Sequence, residues 1–169
     1  MDEIATGHRA LKAVAPREGK YLTFNLAGEE YGIGILKVKE IIGLMVITTV
    51  PQTPIFMKGV INLRGKVIPV VDLRLRFAME PMDYAERTCI IVVEIKGKCG
   101  NILMGIVVDS VSEVLNIKAG EIEDAPNFGS PLNTEYILGM AKNGGQVKIL
   151  LDIDKVLVGS EAGVDFLAA

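Results

Sequence analysis

The chain carries one pattern twice. Residues 32–42, GIGILKVKEII, align without gaps to residues 105–115, GIVVDSVSEVL. Gly32/Gly105, Ile33/Ile106, Val38/Val111 and Glu40/Glu113 are identical, and Ile35/Val108, Ile41/Val114 and Ile42/Leu115 are matched apolar pairs. A second block, residues 59–73, aligns to residues 139–153 and shares Gly59/Gly139, Gly65/Gly145, Val67/Val147 and Asp72/Asp152. About one identity per block is expected by chance. The offset is 73 residues in the first block and 80 in the second, so the second copy carries a seven-residue insertion. Short hairpins rich in Val, Ile and Gly resemble one another, but two blocks in the same order argue for two similar modules. Modules of roughly 60–80 residues are too long for solenoid repeats and too small for large sandwiches. Small closed or nearly closed β barrels fit, because closure removes sheet edges. Each copy is expected to form part of its own barrel, and the groove where two barrels meet is a natural binding site.

Composition points the same way. Ile (19) and Val (18) make up 37 of the 169 residues, and 18 glycines fall mostly between apolar runs. β-branched side chains pack well on a pleated surface, so many short strands with tight turns are expected. Leu22, Phe24 and Leu26 alternate with polar residues, Ala27–Glu30 is a turn, and Tyr31, Ile33 and Ile35 alternate again, predicting a hairpin. Val60-Ile61 and Val67–Val71 flank Asn62–Gly65 as a second hairpin. Pro69 in its second arm removes a ladder donor, which predicts an edge strand or a bulge. Thr88–Ile95 is apolar on both faces and Leu103–Val108 follows it. Gly144-Gly145 marks a further hairpin turn, with Val147–Ile153 the last strong strand. Residues 1–19 read as a flexible tail, 20–157 as the folded unit of two barrel subdomains, and 158–169 as a C-terminal tail. A short terminal helix is expected within 154–167, with Val156, Leu157 and Phe166 inward.

Catalytic chemistry finds few footholds. The single histidine, His8, falls in the tail, so a Ser-His-Asp or Cys-His arrangement inside the fold is unavailable. One His and two separated cysteines, Cys89 and Cys99, do not make a zinc site or a redox pair. Asp72, Asp152 and Asp154 are candidate Mg²⁺ or Ca²⁺ ligands, but strand-end aspartates commonly accept bonds from turn amides, and that structural reading is preferred. The stretch from Gly59 to Val67 has one residue too many for a phosphate loop and Val in place of Ser or Thr. Gly32-Ile33-Gly34 lacks a dinucleotide loop's third glycine. No catalytic residue, metal or cofactor is therefore assigned. With 18 basic against 21 acidic residues, no Trp, and Arg74-Leu75-Arg76 as the longest basic cluster, the footprint of a nucleic-acid binder is missing. No apolar run approaches membrane-spanning length, and the N-terminus lacks a signal-like stretch. A small enzyme with an unrecognised carboxylate site, or a nucleic-acid-binding barrel, are the alternatives to a protein-binding module. Arg64 stands out at a Gly-flanked tip, either as a solvated turn residue or as a guanidinium displayed to a partner's carboxylate or carbonyl.

Four strings can be placed together: Glu29-Glu30-Tyr31-Gly32-Ile33; residues 59–74, GVINLRGKVIPVVDLR; residues 105–109, GIVVD; and Leu150-Leu151-Asp152-Ile153. They closely resemble the chemotaxis coupling protein CheW family, over about residues 21–157. The resemblance implies an all-β fold of two five-stranded Src-homology-3-like barrels. It implies a non-catalytic cytoplasmic adaptor that tethers the histidine kinase CheA, through its regulatory domain, to the tips of methyl-accepting chemoreceptors in membrane-associated arrays. Carried over by position, Val38, Glu40, Gly59, Arg64, Val111 and Val114 would face the receptor, and Val67 and Pro69 would bear on the kinase. Gly59 would allow close backbone approach. Val38 and Val111 are repeat-equivalent, so a core role for both stays open.

Overall fold

The computed structural model describes residues 17–97, 100–126 and 135–158. Eleven strands run through them: β1 Gly19–Leu26, β2 Glu29–Gly34, β3 Val38–Gly43, β4 Met57–Leu63, β5 Lys66–Asp72, β6 Cys89–Gly97, β7 Gly100–Val108, β8 Ser110–Ile117, β9 Ile122–Glu123, β10 Ile137–Asn143 and β11 Gln146–Leu151. Two short helices, α1 Leu73–Arg76 and α2 Ile153–Val158, follow β5 and β11. The strands form a five-stranded sheet in the order β3-β6-β7-β5-β4 and a six-stranded sheet in the order β8-β1-β2-β11-β10-β9. In each sheet the two outer strands are consecutive in the chain. The extra strand in the second sheet is only β9. Its Glu123–Met140 pairing matches an isolated Thr48–Val60 bridge in the first.

The duplication is present residue for residue. Val70 pairs in parallel with Gly105 of β7, and the equivalent Leu150 pairs in parallel with Gly32 of β2. Register breaks fall at Met57/Gly59 in β4 and at Ile137/Gly139 in β10. Each copy forms part of its own barrel through β3–β5 and β8–β11, but the topology divides both copies between the two sheets. β2 and β3 of the first copy fall in different sheets, as do β7 and β8 of the second. A 3-10 turn at Ile35–Lys37 carries the chain across the junction, as Asp109 does in the second copy. Each copy lends its first strand, in parallel, to the other copy's hairpin. The barrels are thus residues 38–108 on one side, and the N-terminal hairpin with residues 110–158 on the other.

This exchange places most of the core between the barrels. Leu22, Phe24, Ile33, Val71, Ile91, Val93, Ile106, Val108, Leu151 and Val156 belong to one shared cluster. Ile61, Ile68, Val70, Ile90, Val92 and Val107 fill the first barrel, and Tyr21, Ile117, Ile122, Ala141 and Leu150 the second. β6 explains its own unbroken apolar run: Ile91, Val93 and Ile95 face the junction while Ile90 and Val92 face the barrel. An aromatic row, Phe24–Tyr31–Phe77–Tyr136, spans the junction with centroids 5.9, 6.2 and 5.4 Å apart. Arg76 lies between Phe56 (5.6 Å) and Tyr136 (5.8 Å) and donates to the Val156 carbonyl at 2.9 Å.

The strand-end aspartates are structural, as read. The Asp72 and Asp152 amides donate to the Phe56 and Tyr136 carbonyls, both at 2.8 Å, and their carboxylates accept from Arg74 N (2.9 Å) and Lys155 N (3.2 Å). Asp72 thereby caps α1, a helix the sequence reading missed. Pro69 is a correction: β5 is an interior strand, and the bulge lies on β4. Val60 exchanges both backbone bonds with Thr48, so Val60–Pro69 is a non-hydrogen-bonded pair. The side of Pro69 lacking an N–H then faces β7, whose pairing with β5 begins only at Val70. The terminal helix begins at Ile153, with Val156 and Leu157 buried as expected. His8, Cys99, Phe166 and both tails beyond Arg17 and Val158 lie outside the described residues.

Candidate functional site

Two faces on the first barrel emerge from its strand geometry. The first is the β4–β5 tip. Arg64 and Gly65 take φ of 52° and 87°, and Asn62 Oδ1 accepts the Gly65 N–H at 2.9 Å, closing the turn. The equivalent tip of the second barrel is Gly144-Gly145, with φ of 65° and 79°. Glycine meets that backbone without a Cβ clash; arginine does not. The first tip therefore keeps a side chain at a place where the fold alone favours glycine. That guanidinium, 69% exposed, is ion-paired through Nη2 to Glu40 Oε1 on β3. The hydrogen bond to Glu40, and then its charge, raise the Arg64 pKa above its already high ordinary value. Neither a bare turn residue nor an unengaged guanidinium describes it. Arg64 and Glu40 form one charged unit across the seam between the outer strands, lining a cavity of about 310 Å³ with Lys66, Ile68 and Leu103.

The other residues assigned to receptor contact divide. Val38 and Val111 are half-buried against the shared core, as their equivalence allowed. Val114 and its equivalent Ile41 are exposed, on β8 and β3. Gly59 is buried, and its close approach is to its own chain: a Cβ there would stand 2.0 Å from the Thr48 carbonyl oxygen. Missed by sequence reasoning is the exposed apolar run around β3, where Leu36 is 91% and Val46 85% exposed, with Leu44 and Met45 between. Its only signal was Leu44-Met45-Val46, an apolar triplet with no alternation.

The second face is a groove of about 660 Å³ opened where β5 and β7 diverge ahead of their parallel pairing. Val67, Ile68 and Pro69 line one wall, Asn101, Ile102 and Leu103 the other, and a Lys39–Glu94 ion pair (3.0 Å) forms part of the rim. Val67 is 70% exposed, so both residues assigned to kinase contact border this opening.

Both faces are lined by apolar, lysine, arginine, glutamate and asparagine side chains. Among the described residues no three His, Cys, Asp or Glu side chains gather as metal ligands. Cys89 is half-buried, and burial pushes its thiol up, against a smaller opposing effect of a hydrogen bond from the Val111 backbone. Tyr84 donates to Asp72 Oδ2 at 2.8 Å, and burial, then that bond, hold its phenol neutral well above the usual tyrosine range. No helix among the described residues is long and apolar enough to cross a membrane.

Comparison with known proteins bears on its family. The family model described as a CheW-like domain matches residues 20–161. Chemotaxis protein CheW of Klebsiella aerogenes is 46% identical over 142 residues, covering 84% of this chain and 83% of the relative. That of Thermotoga maritima is 32% identical, over 86% and 91%. The crystal structure of scaffolding protein TtCheW from Thermoanaerobacter tengcongensis superposes with a TM-score of 0.74 at 36% identity, covering 83% of this chain and 92% of that one. Paired barrels around a shared core, and a match that runs from the first strand past the last helix, lead to one conclusion: the chain belongs to the CheW family.

Proposed function

We propose that the chain is a non-catalytic adaptor joining chemoreceptor tips to the regulatory domain of the histidine kinase CheA, in the cytoplasm at receptor arrays. In this reading the Arg64–Glu40 unit, together with Val38, Val111 and Val114, faces the receptor, and Gly59 supports it by fixing the strand behind. The groove bordered by Val67 and Pro69 faces the kinase. The observation that carries the reading is Arg64 itself. It is kept in a left-handed backbone position that the second barrel gives to Gly144. Ala27 takes the same backbone state at the β1–β2 tip, so it is the exposed guanidinium ion-paired to Glu40, and not the turn, that points to a partner. Two faces on one barrel, backed by a core shared across the junction, let receptor and kinase be held in fixed relation without chemistry.

The test is titration of Arg64→Gly with a chemoreceptor fragment and, separately, with the kinase regulatory domain. Glycine restores the backbone preference, so the fold is unharmed. Receptor affinity should fall by more than about tenfold, the range for a charged contact whose partner is left unpaired, with kinase affinity unchanged. Unchanged receptor affinity would overturn the assignment of Arg64.

A further inference from the structure

The chain crosses between the barrels twice, and at each crossing one carboxylate is gripped by a cation and a backbone amide. At the β7–β8 crossing, Asp109 accepts two bonds from the Arg74 guanidinium, Nε to Oδ1 at 2.9 Å and Nη2 to Oδ2 at 2.7 Å. Asp109 Oδ2 also accepts the Ala27 amide at 2.9 Å. Arg74 lies on α1 of the first barrel and Ala27 at the β1–β2 tip of the second. At the β2–β3 crossing, Asp154 Oδ1 accepts the Lys96 amide at 2.9 Å, and Lys37 Nζ lies 2.6 Å from Asp154 Oδ2. Asp154 lies on α2 of the second barrel and Lys96 on β6 of the first. The two sets are equivalent by position. Arg74 and Asp154 stand second in their helices. Gly32 pairs with Thr23 and its equivalent Gly105 with Val92; four residues beyond those partners stand Ala27 and Lys96. The charges are reversed: one helix supplies the cation, the other the carboxylate. In both, a single carboxylate ties the helix of one barrel to a hairpin amide of the other.

We propose that the Arg74–Asp109 and Lys37–Asp154 pairs are latches that fix the angle between the barrels and so act as positioning groups for receptor binding. This rests on the reading of the receptor face given above. The shared core attracts the barrels without direction. A guanidinium forked on a carboxylate, and an amide aimed at one oxygen, are directional. Both pairs are partly buried, with Arg74 only 12% exposed, so water and salt screen them less than a surface pair. The residues assigned to the receptor are divided between the barrels: Val38, Glu40 and Arg64 on the first, Val111 and Val114 on β8 of the second. A receptor that touches both sets needs them at one fixed spacing. The groove assigned to the kinase is lined by residues of the first barrel alone, so its shape does not depend on the angle. With the latches opened, a chain that holds the native angle a tenth of the time loses about tenfold in apparent receptor affinity.

The full chain carrying Arg74→Met with Asp154→Ala opens both latches. Spin labels at Ile41→Cys and Val114→Cys, exposed positions on the two barrels, report the spacing in the free chain by double electron–electron resonance, with Cys89 and Cys99 replaced by serine. The same variant without labels is titrated with a chemoreceptor fragment and, separately, with the kinase regulatory domain. The distance distribution should be narrow with native latches and broad in the variant. Receptor affinity should fall about tenfold or more while kinase affinity is unchanged. If that variant does not melt cooperatively, Arg74→Lys with Asp154→Asn, which removes the fork and one charge at little change in volume, is measured in its place and should broaden the distances and weaken receptor binding likewise. A folded variant with native spacing overturns the latches alone, whatever the receptor does. Broadened spacing with native receptor affinity overturns the receptor face that spans both barrels, and the positioning role with it. Kinase affinity that falls as far as receptor affinity marks a general loss of structure and overturns the proposal.

Discussion

Replacing Gly59 by alanine separates a contact residue from a fold residue. Gly59 has φ of +143°, and a Cβ would meet the Thr48 carbonyl oxygen at 2.0 Å, its carbon at 2.7 Å and Ile47 Cγ2 at 3.1 Å. Neither backbone atom yields as a flexible side chain would, so the segment carrying Thr48 must move off β4. That breaks the two bonds joining Thr48 and Val60, of 2.8 and 2.9 Å. Thr48 is exposed and its groups regain water, so each bond costs about 1 kcal/mol net. The strained backbone adds about 1–3 kcal/mol, and the stiffer unfolded chain returns about 0.4–1 kcal/mol. The net loss is about 2–4 kcal/mol, a fall in Tm of roughly 5–15 °C for a chain of this size. Gly139→Ala, at the equivalent bulge, meets Ile122 Cγ2 at 2.7 Å and the Glu123 oxygen at 2.9 Å, without a left-handed φ. Its loss should be smaller, about 1–3 kcal/mol. Circular dichroism melts of both variants, with receptor-fragment titration well below Tm, give the comparison. If Gly59→Ala melts within about 2 °C of the native chain and still loses receptor binding, the reasoning is refuted and Gly59 belongs to the contact surface.

Other outcomes follow from the same geometry. Burial raises the pKa of Tyr84, Tyr21 and Tyr31 above the ordinary 10.0, so the unfolded chain ionises first and stability should fall as pH rises above that value; Tyr84→Phe should flatten the fall in a pH series of melts. For Asp109, burial pushes the carboxyl up, but the Arg74 hydrogen bonds (2.9 and 2.7 Å), the Ala27 amide and the Arg74 charge outweigh it and leave it below the ordinary 3.8. Its contribution is therefore present above that pH and lost as pH falls through the lowered value, and Arg74→Met should remove this acid dependence from denaturant midpoints. Arg76→Met should lower Tm, with about 1–3 kcal/mol lost from the Val156 bond and the two aromatic faces.

The repeats and strands were legible because local chemistry decides them. Alternation set β1 and β2, the doubly apolar run set β6, and Gly28, Gly65 and Gly145 set the hairpin tips. The exchange of first strands between barrels was not legible. The 3-10 turn at Ile35–Lys37, which sends the chain across the junction, carries no Pro or Gly of its own, and parallel pairing between residues 35 positions apart (β5 with β7) or 118 apart (β2 with β11) leaves no local mark. α1 was missed because four residues of Leu-Arg-Leu-Arg continue the strand's alternation; only the Asp72 cap distinguishes them. Arg64 was visible as unusual, but its Glu40 partner, 24 residues away, was not tied to it by any spacing rule. The Arg74–Asp109 and Lys37–Asp154 pairs were hidden for the same reason. Their equivalence becomes visible only when register aligns the two barrels.

Coupling of receptor to kinase is tested most directly by sedimentation. Membranes bearing a chemoreceptor are mixed with the kinase, with and without this chain, and pelleted. The account predicts that the kinase pellets with the membranes only when the chain is present, that Arg64→Gly leaves both chain and kinase in the supernatant, and that Ile68→Lys/Leu103→Glu pellets the chain but leaves the kinase behind. Kinase recovery that does not depend on the chain would contradict it.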